Sequence, residues 1–239
     1  MVTLALTDRS VRAIIWLMEA RKPSDSGQTA RDRILDAAEE AFAADSFTGA
    51  SMKAISLRAG VAQGLLHYHF DNKEGLYAAV IERRSGMINA ERLARLDAVD
   101  PAAPDAVAQI LRALMEPPLG PLGGGRAYAR ILAGLTAGDA RDAELVRLHY
   151  DATAARFIDA LGAALPGASR AAISWGYSLA IGTLVAAVAN NGRPERLGGV
   201  DPAATSPEDV LDILVTYIEG GIRALIRSQT RSETRTGNR

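Results

Sequence analysis

Apolar residues recur at three- and four-residue intervals along almost the whole chain, and period-two alternation is nearly absent. This pattern predicts an all-α protein. Ile34, Leu35, Ala38, Ala41 and Phe42 form one stripe, and Ile110, Leu111 and Leu114 another. Leu145, Leu148, Ala152, Ala155 and residues 157–161 form a third. The last helix has the clearest start. Ser206-Pro207-Glu208-Asp209 offers an N-cap hydroxyl, a proline at the first helical position and carboxylates in the first turn. Its apolar face then runs Val210, Ile213, Leu214, Tyr217, Ile218, Ile222, Leu225.

Turn-forming residues divide this pattern. Residues 22–27 (KPSDSG) read as a linker after an N-terminal extension, in which Val11, Ile14, Ile15 and Met18 share a helical face. Residues 100–104 (DPAAP) read as a loop, and 117–125 (PPLGPLGGG) as neither helix nor strand. Asn190-Asn191-Gly192 stops an apolar helix, and the chain turns polar and basic after Ser228. The expected organisation is an extension over 1–27, a small helical unit over 28–88, a larger one over 89–229 and a flexible tail over 230–239.

Composition narrows the chemistry. Of 239 residues 48% are hydrophobic, enough for a substantial core, and the net charge is −1. No overall field draws the chain to nucleic acid or membrane, so any such affinity must come from local placement. Cysteine is absent, which excludes disulfides, thiolate metal sites and thiol nucleophiles, and fits a reducing, cytoplasmic setting. The apolar run at 13–18 is short and follows the mixed charges Asp8, Arg9 and Arg12, unlike a secretory signal. Residues 171–189 are uncharged and long enough to cross a membrane. Their Ala, Gly, Ser and Thr content, with no second such run, assigns them instead to a core or a dimer interface.

The chemistry concentrates after the first stripe. Ser51 can cap a short helix over 52–58 whose inward residues are Ile55 and Ala59. Ala59-Gly60-Val61 makes a tight turn, and a second short helix follows over 62–70. Two short helices joined by a glycine turn make a helix-turn-helix, with motif limits near 51–70. Leu66 and Phe70 can pack inward with Val61, which leaves Gln63, Gly64, His67 and Tyr68 outside. Glutamine reads an adenine edge, tyrosine and histidine reach phosphate oxygens, and glycine lets backbone approach. Asp71-Asn72 caps the next helix, and Lys73 sets a cation in its first turn.

The run ARDRILDAAEEAFAADSFTGASMKAISLRAGVAQGLLHYHFDNKEGLYAAV resembles the N-terminal domain of TetR-type transcriptional regulators. The likeness covers about residues 28–86 and rests on residues 34–38, Phe42-Ala43, Phe47, Ser51, residues 59–61 and residues 69–74. It implies phosphate contacts from Ser51 and Lys53 and base-facing roles for Gln63, Gly64 and Leu65. It implies phosphate or base contacts for His67, Tyr68 and His69, and a phosphate contact for Lys73. Ser46 stands where the family's corner carries glycine, and Ala62 where many members have a Ser/Thr cap. The resemblance further implies a homodimer on double-stranded operator DNA, joined through the last two long helices near 168–190 and 207–227. A small, largely apolar effector would release it; no cofactor, metal or catalytic residue is expected.

Other readings are weighed beside this one. His67 and His69, two apart on a helix, point about 200° away from each other, which disfavours a shared metal ion. An α-helical enzyme built around Asp139, Asp142 and Glu144, or a head used as a protein-interaction module, are the rival functions. Arg130, His149, Tyr150, Trp175 and Tyr177 are the candidate effector-pocket residues, with Arg147 and Arg156 as further partners for an anionic group. His149-Tyr150 also reads as a half-exposed helix surface, and Trp175 and Tyr177 as interface. The segments LGAALPGAS and WGYSLAIGTL resemble regulators that respond to fatty acyl compounds. Arg223, Arg227, Arg231, Arg235 and Arg239 recur every four residues, a basic stripe if the helix persists and a solvated end if it does not.

Overall fold

The computed structural model describes residues 29–189, 192–201 and 205–236, with side chains through Ser228. The expectations for the N-terminal extension and for Asn190-Asn191 lie outside the described residues. Among those described there are ten α-helices and no strand. A head is formed by α1 (Ala30–Gly49), α2 (Met52–Ala59) and α3 (Gln63–Phe70). The helix α4 (Lys73–Leu96) leads out of it into α5 (Ala106–Leu119), a 3-10 turn (Pro121–Gly123), α6 (Gly125–Ala137) and α7 (Ala140–Ala164). α8 (Arg170–Val188), α9 (Arg193–Gly198) and α10 (Pro207–Thr236) complete the body.

The helix ends follow the chemistry of their caps. A capping box between Thr29 and Asp32 opens α1, and Asn72 Oδ1 accepts from Gly75 N at 2.8 Å to open α4. Ser206 and Asp209 form the same reciprocal pair at the start of α10. α1 is kinked at Ser46, whose φ 58, ψ 177 belongs to a region that glycine adopts without steric cost. The serine that replaces the family's corner glycine therefore carries backbone strain.

Two apolar clusters meet along α4. Ile34, Leu35, Phe42, Ile55, Leu66 and Phe70 pack with Leu76, Val80 and Ile81 in the head, and Tyr128, Ile131 and Leu135 of α6 join them. Leu96 contributes to the second cluster, built on Leu111, Leu114, Phe157, Leu161, Leu214 and Ile218. The expected boundary at 88–89 thus falls inside a continuous helix that belongs to both cores.

Two expectations are corrected. The segment from Pro117 was read as unable to form helix, yet α5 runs through Pro117 and Pro118 to Leu119. Pro118 has no N–H to give the Leu114 carbonyl. Arg92 of α4 supplies one instead, its Nε donating at 2.9 Å. The tail expected over 230–239 is helical as far as Thr236, as the continuation of α10.

α8 is the one described helix long and apolar enough to cross a membrane. In this fold it packs on α10, where Gly176 accommodates Ile222: a Cβ at that glycine would lie 2.7 Å from the isoleucine Cγ1. Trp175 and Leu179 on α8, and Ile213 and Tyr217 on α10, remain exposed.

Candidate nucleic-acid interface and body cavity

α2 and α3 are joined by Gly60 in the left-handed conformation, φ 66, ψ 36. Its N–H bonds Leu57 O and the N–H of Val61 bonds Ser56 O, so the carbonyls ending α2 are satisfied at the turn. Leu66 and Phe70 are buried and fix the inner face of α3. Gln63, Gly64, His67 and Tyr68 lie on its exposed face, and Tyr68 is 80% exposed. A tyrosine so displayed buries little of its ring within the chain and has its hydroxyl free to meet a partner.

Neighbouring contacts set what each group can do. His67 Nδ1 lies 2.8 Å from Asp71 O, so it donates to that carbonyl and Nε2 is the nitrogen left for a ligand. His69 is half-buried between the rings of Tyr68 and Phe70. Lys73 Nζ donates to Thr48 O and Ala50 O, at 3.3 and 3.2 Å, above the Phe47 ring. It thereby ties the end of α1 to the start of α4 and retains one N–H for a phosphate. Ser51 is the N-cap of α2 with no side-chain capping bond, and Lys53 is exposed in its first turn. Leu65 is half-buried against the head core. Gly75 is required here, since a Cβ would stand 2.3 Å from Phe70 O.

α4, α6, α7 and α8 surround a cavity of about 520 Å3, inside the range usual for small-molecule sites. Leu135, Val146, Ile181, Leu184 and Val185 make most of its wall, with Tyr150 and Tyr177. Burial pushes the Tyr150 hydroxyl up to about 12 and raises Tyr177 as well. Tyr150 also shares a short hydrogen bond with the hydroxyl of the fully buried Tyr128. Arg92 borders the same cavity at 4% exposure.

A polar chain leads from this cavity to the head. The Arg84 guanidinium lies 5.9 Å from the Tyr128 ring, and its Nη1 donates to Leu122 O at 3.0 Å. Its Nη2 grips the buried Glu39 of α1, which also accepts from Arg83. Arg84 Nε is buried without a hydrogen-bond partner.

Comparison with known proteins decides the family. The profile described as "Bacterial regulatory proteins, tetR family" matches residues 34–80, and "Tetracyclin repressor-like, C-terminal domain" matches residues 108–221. The two segments cover the head and most of the body, well over half of the chain. The chain belongs to the TetR family. The transcriptional repressor NicS of Pseudomonas putida is 38% identical over 88 residues, which is 35% of this chain and 42% of that protein. The transcriptional regulator UidR of Escherichia coli is 46% identical over 54 residues, 23% of this chain and 28% of that one. The match spans less than half of either relative. Among solved structures, a TetR-like regulator from Rhodococcus sp. RHA1 has a TM-score of 0.57 at 21% identity, covering 81% of this chain and 96% of that one. FadR from Bacillus subtilis, in complex with stearoyl-CoA, also has a TM-score of 0.57 with the same coverages, at 15% identity. At such identities the likeness shows the fold.

In this TetR-family chain the DNA-facing candidates Ser51, Lys53, Gln63, Gly64, Leu65, His67, Tyr68 and His69 fall on the helix-turn-helix and Lys73 just beyond it at the start of α4, with Leu65, His69 and Lys73 half-buried and the others exposed. Of the five effector candidates, Tyr150 and Tyr177 line the cavity. Arg130, His149 and Trp175 do not. Arg130 borders a different cavity with Phe47, Tyr77 and Asp142, and Trp175 is 67% exposed on α8. His149 is half-buried outside the cavity lining, and its carbonyl accepts from Asn89 Nδ2. The acidic group behind the enzyme reading is spent on structure: Asp139 caps α7, Asp142 pairs with Arg141 and Glu144 with Arg147. TetR-family proteins are transcriptional regulators, not enzymes. Arg92 was missed. Its signal was a lone arginine continuing the buried stripe Ile81, Ser85, Ile88, Leu96.

Proposed function

We propose that the protein is a cytoplasmic, ligand-responsive transcriptional repressor that binds a palindromic operator as a homodimer and is released by a small, largely apolar effector. The observation that carries this reading is α3, with Leu66 and Phe70 buried beneath it and Gln63, His67 and Tyr68 displayed on its outer face. Such a helix enters a major groove with side chains suited to base edges and phosphates. Ser51, Lys53 and Lys73 flank it as the phosphate contacts that set its register.

Dimerisation is supported by the face of α8 and α10. Only 28% of the apolar span of α8 is buried in one chain, and Trp175 and Tyr217 are 67% and 70% exposed. Four such helices from two copies make an isologous bundle that covers these side chains. The apolar cavity supports an effector, and the stearoyl-CoA held by the Bacillus subtilis FadR supports one with an apolar chain.

Release works by linkage. An effector that binds tighter to the body shape in which the two heads are misplaced for successive grooves lowers operator affinity by that difference. α4 is the lever, since Lys73 at one end belongs to the head and Arg92 near the other borders the cavity. The test is a gel shift of the DNA upstream of the protein's own gene. Specific retardation that Gln63→Ala abolishes is expected; a protein that leaves every palindrome there unshifted at low salt contradicts the reading.

A further inference from the structure

Among the described residues the charge of Arg92 has no counter-ion. Its guanidinium is buried at the foot of α4, with Nε on Leu114 O and Nη1 3.4 Å from Asn89 Oδ1. Both partners are neutral. The exposed Asp151, which also borders the cavity, forms no ion pair with it. The groups that surround the arginine are the neutral hydroxyls of Tyr177, Tyr150 and Tyr128, whose ionisation burial makes harder still.

A structural role accounts for one N–H of this side chain. Pro118 leaves the Leu114 carbonyl without its helical donor, and Arg92 Nε provides one. A neutral donor would serve that carbonyl equally well. The structural role does not require a full positive charge in an apolar site, where burial alone depresses the guanidinium's proton affinity. An uncompensated buried cation is costly, and the cavity beside it is where the compensation can enter.

We propose that the effector is a monoanionic amphiphile: a carboxylate that pairs with Arg92, on an aliphatic or arylalkyl body that fills the wall of Leu135, Val146, Ile181, Leu184 and Val185. The inference rests on the effector-cavity reading and gives it a chemistry. The tyrosine hydroxyls of the cavity add donors to the carboxylate, and the planar guanidinium fork suits its two oxygens. An acyl-CoA whose chain fills the cavity would bring the neutral thioester carbonyl to the arginine, with its phosphates beyond the pantetheine arm, and leave the charge unpaired. Because Arg92 lies on α4, pairing would act directly on the helix that carries the head.

The test is calorimetric titration of the full chain with octanoate, decanoate and dodecanoate, with the matching primary alcohols, and with decanoyl-CoA. Each acid is expected to bind about tenfold or more tighter than its alcohol. Arg92→Gln, which keeps a donor for Leu114, is expected to bring the acid down to the alcohol without weakening the alcohol. Arg92→Lys is expected to keep the preference for acid. A purely structural arginine would lower the melting temperature in Arg92→Gln and leave the acid-to-alcohol ratio unchanged, which overturns the proposal. Equal affinity for acid and alcohol in the native chain overturns the anion and leaves the cavity reading standing. Failure of acids and alcohols alike overturns the cavity reading itself. Tighter binding of decanoyl-CoA than decanoate, unaffected by Arg92→Gln, overturns the free acid.

Discussion

Arg84 on α4 donates through Nη2 to both carboxylate oxygens of Glu39 on α1, at 2.7 and 2.8 Å, with both side chains largely withdrawn from water. Arg83 reaches the same carboxylate and also Asp36, so two cations converge on one buried anion. The pair fastens the head to the helix that carries it into the body. Removing the anion strands Arg84, while Arg83 keeps Asp36. Glu39→Ala is expected to lower unfolding stability by about 3 kcal/mol, measured by chemical denaturation. A loss below about 1 kcal/mol would show that solvent already screens the pair.

Ser46 holds a backbone conformation at φ 58, ψ 177 that strains any residue with a Cβ. Ser46→Gly should therefore raise stability by about 1 kcal/mol, despite glycine's greater freedom in the unfolded chain. Thermal denaturation of the two proteins side by side checks the sign. A lower melting temperature for the glycine variant would mean that the serine hydroxyl is worth more than the strain.

Gly75 lies in the first turn of α4, directly against the end of α3. With Phe70 O only 2.3 Å from the position of a Cβ, Gly75→Ala must displace backbone rather than a pliable side chain. The expected cost is about 2 kcal/mol or more. Because the displaced carbonyl ends the helix that bears Tyr68, DNA affinity should fall together with stability. Crystallography or amide exchange at residues 66–72 would locate the change.

Alkaline pH should weaken the fold through the cavity tyrosines. Burial raises Tyr150 from 10.0 to about 12, so between those values the folded chain keeps a proton that the unfolded chain releases. A raised value gives stability that is fully present below pH 10 and is lost as pH climbs toward 12. Unfolding followed across that window should show a falling stability whose slope is shallower in Tyr150→Phe. An unchanged slope in the variant would place the titration elsewhere.

Much of the head could be read from the chain because its signals are local. Gly60 marks the turn, Asn72 the cap, and Leu66 with Phe70 the buried face; each acts within a few residues of itself. The body was less legible where a residue depends on a distant partner. Pro117 and Pro118 looked like a helix stop, and the donor that replaces the missing N–H of Pro118 comes from Arg92, more than twenty positions away. Arg92 in turn stands in the run ERLARL, where nothing local marks its distant partner. Arg130, Arg147 and Arg156 attracted attention as anion partners, but Arg147 and Arg156 are paired with Glu144 and Asp97 on the surface. Ser46, which departs from the family's corner glycine, marks in the sequence the one place in α1 where the backbone is strained.

The exposed face of α3 is assigned to reading DNA, and Tyr68 tests this most directly because its ring is 80% exposed and meets the neighbouring His69 rather than the buried core. Fluorescence anisotropy on a palindrome retarded by the native protein would be run for Tyr68→Ala at the same salt, with melting temperatures measured in parallel. The expected result is a loss of about tenfold or more in affinity with the melting temperature unchanged. Equal affinity of the two proteins for that DNA would contradict the assignment of α3 as the recognition helix.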